Sequence, residues 1–256
     1  MKFIIVIPAR LASIRLPGKL LLEIAGKPVL QYVWQTAVAS GAERVIIAAD
    51  DNRIKNKAME FGAEVCMTSN KHKSGTERIS EVIQKENISS DALVVNLQGD
   101  EPLMPPEYIR HAAEVLASDS DAGVATLACP FTGLEELLNP NTAKVVLDKK
   151  SRALYFSRSV IPALKNQDYT EISDFSPWLR HVGLYAYRAE FILKYALLTE
   201  SKAEKSESLE QLRVLHHGHK IKVGLVAKMP GPGIDSQDDF ARVSGLILQN
   251  SFNNIS

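Results

Sequence analysis

Cysteine is scarce in this chain: Cys66 and Cys129 are the whole complement. That leaves no disulfide framework to read, and both residues are expected as buried thiols of a reducing cytoplasm. There is no charge excess either, because 30 Lys and Arg balance 30 Asp and Glu. A nucleic-acid binder usually shows a basic surplus, so that class is not supported. No apolar run approaches the length of a membrane span. Met1-Lys2-Phe3 leads directly into a strand-like run, without the apolar core or cleavage site of a signal peptide. Two familiar phosphate loops are missing as well. The chain has no GxxxxGK[ST], and no GxGxxG follows its first strand, so neither a P-loop ATPase nor a nicotinamide-dependent dehydrogenase is indicated. No repeat, low-complexity tract or linker divides the 256 residues, which are 45% apolar. The expectation is one globular domain over 1–256.

What is present begins at Ile4. Ile4 to Ile7 is a short β-branched run that suits a strand buried on both faces of a parallel sheet. After Pro8 come three cations, Arg10, Arg15 and Lys19, with Pro17 and Gly18 bending the chain and no acid before Glu23. Ligands of open α/β sheets bind outside the carboxyl ends of the strands. Arg presents a planar fork that matches phosphate, and Lys a mobile point charge. The loop therefore reads as a polyanion site, with a solvated basic turn as the plain alternative.

Beyond it the pattern alternates. A helix is expected over Val29–Ser40, a strand over Arg44–Ala49, a helix over Arg53–Phe61 and a strand over Glu64–Thr68. That order favours a parallel sheet with right-handed crossovers. Ser74 with Glu77 fits a capping box that opens a helix to about Lys85. A strand over Ala92–Asn96, a helix over Pro106–Leu116 and a strand over Asp121–Cys129 follow. From Lys144 the chain reads as an antiparallel hairpin, KVVLD and ALYFSR joined by KKSR. Ile161 to Pro177 has no period and reads as a lid or interface segment, or as a plain long loop. The rest reads as a strand over Arg180–Tyr187, helices over Ala189–Leu198 and Ser206–Leu215, a strand over Lys220–Ala227 and a helix over Asp238–Gln249. Ser236 and Asp239 resemble a cap for that last helix, and the tail from Asn250 is expected to fray.

Asp100 stands just past the fourth strand, at the edge that carries the cationic loop. Mg²⁺ takes one or two protein carboxylates together with phosphate oxygens and water. Asp100 therefore reads either as such a ligand or as the start of a turn before Pro102. Glu101, one residue on, would point elsewhere along an extended chain. Asp235 lies in a turn before a helix, where Asp is common for local reasons. His216, His217 and His219 cluster at a helix end without metal spacing and read as solvated. His181 and Tyr185 share one face of a strand.

With these residues collected, the chain resembles the 3-deoxy-D-manno-octulosonate (Kdo) cytidylyltransferases. The matching segments are IPARLASIRLPGKLL, GAERVIIAADD, CMTSNKHKSGTERI, NLQGDEPLM, NPNTAKVVLD, ALYFSR, LRHVGLYAYR, LEQLRVLHHGHKI and PGPGIDSQDDF, in the family's order. The resemblance implies a nucleotide-diphospho-sugar-transferase-like (Rossmann-like) α/β fold: a mixed, mostly parallel sheet flanked by helices, with an antiparallel hairpin. It implies a cytoplasmic, Mg²⁺-dependent homodimer that makes CMP-Kdo and pyrophosphate from CTP and Kdo. By matching motif, Arg10, Ser13, Arg15 and Lys19 would hold the CTP phosphates, and Arg78 would help enclose the cytidine. Gln98 would lie between nucleotide and sugar, Asp100 and Asp235 would ligate Mg²⁺, and His181, Tyr185, Glu210 and Gln211 would shape the sugar site. Arg10, Lys19, Asp100 and Asp235 would be the catalytic set. Ile14 and Leu20 stand where the family usually has Thr and Pro. Ile161 to Gln167 lacks the aromatic and arginines common in relatives. The same reaction on 8-amino-8-deoxy-Kdo, a sialic-acid synthetase, and an inactive scaffold on this fold are the rival readings.

Overall fold

The computed structural model describes residues 1–13, 15–72, 74–165 and 168–253, the last four as backbone. Ile14, Asn166 and Gln167, on which the family departures fall in part, lie outside the described residues. The chain forms two compact units, residues 1–110 with 230–256, and residues 111–229.

In the first unit β1 (Ile4–Ala9) leads, through the cationic loop, to a small hairpin of β2 (Glu23–Ile24) and β3 (Lys27–Pro28). Then follow α1 (Val29–Ala39), β4 (Arg44–Ala49), α2 (Asn52–Glu60), β5 (Glu64–Met67), α3 (Gly75–Lys85), β6 (Leu93–Asn96) and the start of α4 (Pro106–Ala117). β1 pairs in parallel with β4 on one side and β6 on the other, and β4 pairs with β5. A strand enclosed in this way has apolar residues pointing to both faces. That explains why Ile5, Val6 and Ile7 are all fully buried and why the run does not alternate. The register sets Ala9 beside Ala49 and Ala49 beside Met67, so these strands finish together and their following loops share one edge.

The second unit holds β7 (Val124–Pro130), α5 (Leu134–Leu138), β8 (Lys144–Leu147), β9 (Ala153–Ser157), β10 (Leu179–Arg188), α6 (Ala189–Tyr195), α7 (Lys202–Glu207), α8 (Gln211–His216) and β11 (Ile221–Leu225). β7 takes β11 in parallel and β10 antiparallel, and β10, β8 and β9 continue antiparallel. The expected hairpin is β8–β9. α9 (Gln237–Asn253) belongs to the first unit and runs past the expected end at Gln249. Its start is capped as expected: Ser236 Oγ accepts from Asp239 N at 3.2 Å, and Asp239 Oδ2 accepts from Ser236 N at 3.0 Å. The fold class is the expected one, mixed and mostly parallel with flanking helices.

One helix was expected where there are two. The stretch Ser206–Leu215 is broken at Ser208, which has a left-handed backbone with φ 51°. α7 starts earlier, in a capping box of Ser201 and Glu204, and α8 starts afresh at Gln211. Arg213 then folds back on Glu204 with two hydrogen bonds of 2.9 and 2.5 Å, which holds the two short helices together. The segment after β9 has a core of its own: Trp178, Phe131 and Leu137 are buried, with Val160, Leu164, Tyr169, Ile172 and Phe175 packed against them. Trp178 Nε1 donates to Pro162 O at 2.8 Å, so the indole is satisfied as well as buried.

Candidate active site

The loop after β1 is shaped by Gly18, whose φ of +66° a larger residue would adopt only under strain, and by a 3₁₀ turn over Lys19–Leu21. It is fastened by apolar packing. Leu16, Leu22 and Tyr32 lie against Ile24, Val29, Ile234, Val243 and Ile247. Ile234 is fully buried in that cluster, and its N–H donates to Asp100 O at 2.9 Å. The neighbour of a buried anchor has little freedom, so Asp235 is carried to Asp100. Gly99 completes the approach: a Cβ there would lie 2.9 Å from Pro8 O and 3.2 Å from Leu20 Cδ1.

The result is a compact charged cluster. Lys19 Nζ donates to Asp100 Oδ2 at 2.5 Å, to Asp235 Oδ1 at 2.9 Å and to Ile234 O at 2.9 Å. Arg15 lies 2.9 Å from Asp235 Oδ2. Burial opposes the charge on Lys19, but its hydrogen bonds to the two aspartates outweigh it and raise the pKa. Arg10 is exposed at the carboxyl end of β1 and makes no ion pair among the described residues. Ser13 Oγ accepts from Leu16 N at 3.4 Å.

Arg78 plays a different local part. It is 3% exposed, and it donates to Thr68 Oγ1 at 2.6 Å, Ser69 O at 3.2 Å and Asp50 Oδ2 at 3.1 Å. Asp50 Oδ1 accepts from Leu11 N at 2.9 Å. Arg78 thus ties α3 to the ends of β4 and β5 and, through Asp50, to the loop after β1. α3 is set by Ser74, whose Oγ accepts from Glu77 N at 3.2 Å. Gln98 donates to Asn96 Oδ1 at 3.1 Å and lies against Gly75.

Glu101, expected to point elsewhere along an extended chain, comes under the charges of Asp100 and Asp235 instead. The chain turns at this point, with Glu101 N donating to Gln98 O at 3.2 Å, so strand alternation no longer applies. Burial, and then the charges of Asp100 and Asp235, push its carboxyl up to about 8. Its Oε2 is buried with no hydrogen-bond partner among the described residues. A carboxyl so placed favours its neutral form, which limits the local excess of negative charge.

The remaining candidates lie in the second unit. A bulge between Val182 and Tyr185 interrupts the β10–β7 ladder. Thr126 Oγ1 fills it, with Val182 O at 3.0 Å, Leu184 O at 2.8 Å and His181 Nε2 at 3.0 Å. With the hydroxyl proton directed to a carbonyl, Oγ1 can accept from His181 Nε2–H, the neutral tautomer that leaves Nδ1 as an acceptor. Burial also lowers the pKa of His181 to about 4. Phe156 meets the ring edge-on at 5.0 Å, and Tyr185 lies 5.5 Å away on its own strand. Burial, with smaller effects of Tyr187 and Glu210, raises the Tyr185 hydroxyl well above its ordinary value. Glu210 is exposed at the start of α8, and Gln211 is 7% exposed, with Nε2 unpartnered among the described residues. His216 and His217 are exposed, while His219 meets Phe191 edge-on. Both cysteines are free and buried, and no helix among the described residues is long and apolar enough to cross a membrane.

A parallel α/β unit whose strand ends gather a cationic loop and a pair of aspartates has the form of a nucleotidyltransferase. The comparisons agree. A cytidylyltransferase family model matches residues 4–221. The chain is 50% identical over 253 residues to 3-deoxy-manno-octulosonate cytidylyltransferase 2 of Actinobacillus pleuropneumoniae serotype 5b (strain L20), covering 98% of this chain and 100% of that one. It is also 50% identical over 256 residues to 3-deoxy-manno-octulosonate cytidylyltransferase of Vibrio vulnificus (strain CMCP6), covering 98% and 100%. Among solved structures, a CMP:2-keto-3-deoxy-manno-octonic acid synthetase complexed with CTP superimposes with a TM-score of 0.88 at 40% identity, covering 98% of this chain and 100% of that one. The chain belongs to the cytidylyltransferase family.

Proposed function

We propose that the protein transfers the cytidylyl group of CTP to Kdo, giving CMP-Kdo and pyrophosphate, and so activates the sugar for lipopolysaccharide biosynthesis. The observation that carries this reading is the meeting of Lys19 and Arg15 with Asp100 and Asp235 in the first unit. Two near-full-length relatives at 50% identity bear the name of this activity.

The anomeric hydroxyl of Kdo attacks the α-phosphorus as the bond to pyrophosphate breaks, and the hydroxyl proton is lost to solvent. Such displacements depend on positioning and on stabilising charge rather than on covalent chemistry from the protein. Both reactants are anions, so cations must meet them. Arg10, Ser13, Arg15 and Lys19 are assigned to the CTP phosphates. Arg78 is assigned to the cytidine side, where its bonds to Asp50 and Thr68 give it a fixed place. Gln98 is assigned to the junction with the sugar, and His181, Tyr185, Glu210 and Gln211 to the sugar itself. The neutral Nδ1 of His181 would accept a sugar hydroxyl, and Gln211 Nε2 would donate to an oxygen.

The donor set suits Mg²⁺. Asp100 Oδ2, Asp235 Oδ1 and Ile234 O already converge on one cation, the Lys19 amine, and hard carboxylate oxygens are what Mg²⁺ prefers. No group of three or more His, Cys, Asp or Glu forms a metal cluster among the described residues. An ion held by two aspartates would complete its shell with phosphate oxygens and water. When bound, Mg²⁺ neutralises phosphate charge and favours ionisation of the attacking hydroxyl. A cytoplasmic homodimer is part of the proposal. Leu154 and Tyr155, exposed on β9 at 60% and 39%, suit an interface in the hairpin region.

The test is pyrophosphate release from CTP and Mg²⁺ with Kdo, 8-amino-8-deoxy-Kdo or sialic acid as acceptor. Release with Kdo in strong preference to the others is expected. Preference for either alternative would reassign the acceptor, and no release with any would refute the enzyme reading.

A further inference from the structure

The side chains assigned to the sugar come from two elements of the second unit, His181 and Tyr185 from β10 and Glu210 and Gln211 from the start of α8. α8 is only six residues long and follows a turn through left-handed Ser208. So short a helix has no stability of its own, and its place must be imposed from outside.

β9 imposes it. Phe156 on β9 packs against the His181 ring, and the next two residues reach the turn before α8. Ser157 Oγ donates to Glu207 Oε1 at 2.7 Å, and Arg158 N donates to Glu207 Oε2 at 2.8 Å. The Arg158 guanidinium donates to Glu207 O at 2.5 Å, Ser208 O at 3.4 Å and Pro140 O at 3.0 Å. Arg158 is itself pinned, because the fully buried Lys144 amine donates to Arg158 O at 2.9 Å while also bonding Asn139 O and Thr142 O. One strand end therefore serves both groups of sugar-site residues. Gln211 Nε2, buried without an acceptor among the described residues, is the kind of donor that needs a ligand to be satisfied.

We propose that Glu207, held by Ser157 and Arg158, is a positioning residue for the sugar subsite: it sets Glu210 and Gln211 in register with His181 and touches no substrate. This rests on the sugar assignment made above. Steady-state kinetics of Glu207→Ala and Glu207→Gln test it in the full-length protein, with CTP affinity measured by calorimetry. Glu207→Ala should raise the KM for Kdo about tenfold, the cost of one charge-assisted hydrogen bond, and leave the Kd for CTP within twofold. Glu207→Gln keeps an acceptor oxygen and should recover most of the loss. An unchanged KM for Kdo in folded Glu207→Ala overturns the proposal. So does a parallel loss of CTP affinity, which would mark a general structural role. If Glu207→Ala does not fold, Ser157→Ala removes one bond to the same carboxylate and should raise the KM for Kdo a few-fold, and no change there overturns the proposal too. Wild-type protein that turns over no Kdo would overturn the functional reading and this inference together, whereas normal wild-type turnover with unshifted variants overturns the inference alone.

Discussion

Lys19→Met is the perturbation that separates catalysis from stability most clearly. The substitution keeps the unbranched stem as far as Cε and deletes the ammonium that bridges Asp100 and Asp235. Breaking a fully buried ion pair by removing one partner costs about 3–5 kcal/mol. This pair is only partly dry: Lys19 is 12% exposed at its side chain, but Asp100 is 29% and Asp235 50% exposed, and Arg15 remains beside Asp235. Solvent screening then brings the folding cost down to about 1 kcal/mol, a fall in Tm of roughly 2–4 °C for a chain of this size. The effect on turnover is larger. A preorganised cation that meets charge developing on phosphate is worth about 2–4 kcal/mol, so kcat should drop roughly 30- to 1000-fold. Pyrophosphate release under saturating CTP, Kdo and Mg²⁺, paired with thermal melting, measures both. A rate within threefold of wild type would refute the catalytic role of Lys19. A Tm loss large enough to unfold the protein under assay conditions would refute the screening argument.

Asp100→Ala and Asp235→Ala should each abolish CMP-Kdo formation while far-UV circular dichroism stays native, and near-normal turnover in either would reject the metal assignment. His181 is neutral in the fold with a pKa near 4, so the unfolded chain takes its proton first as pH falls. Its contribution is complete above pH 6.5 and is lost between 6.5 and 4, a loss of about 3 kcal/mol. Urea denaturation of wild type and His181→Gln across that window should differ, and identical curves would contradict the reading. Trp178→Ala should cost about 3–5 kcal/mol, because it empties the centre of the small core against which Val160, Leu164, Tyr169, Ile172 and Phe175 pack; a change under 1 kcal/mol in urea would contradict it. Gly99→Ala should destabilise by about 1–3 kcal/mol and depress turnover, since a methyl on the residue before Asp100 would lie 2.9 Å from Pro8 O.

Much of this was legible in the residues, for identifiable reasons. β1 and β4 could be placed because a strand flanked by parallel neighbours is apolar on both faces, and α3 because Ser74 and Glu77 state its cap. The break between α7 and α8 could not. Helical spacing runs straight through Ser208, and its left-handed turn is held by distant bonds from Ser157 and Arg158. The β2–β3 hairpin turns on Ala25-Gly26, with φ of 49° and 76°, rather than on the Asn-Gly pair that signals such turns. The motifs named Asp100 and Asp235, but not that buried Ile234 would bring them together. Nor could Glu101 be placed, since its direction depends on a turn rather than on strand alternation.

The proposed function turns on the transfer of CMP intact to the anomeric oxygen of Kdo. ³¹P NMR of the protein with CTP, Kdo and Mg²⁺ should show the three CTP signals replaced by one phosphodiester, carrying both cytidine and Kdo, and by free pyrophosphate in equal amount. Loss of CTP to CDP and phosphate, or pyrophosphate released alongside free CMP with no sugar phosphodiester, would contradict it.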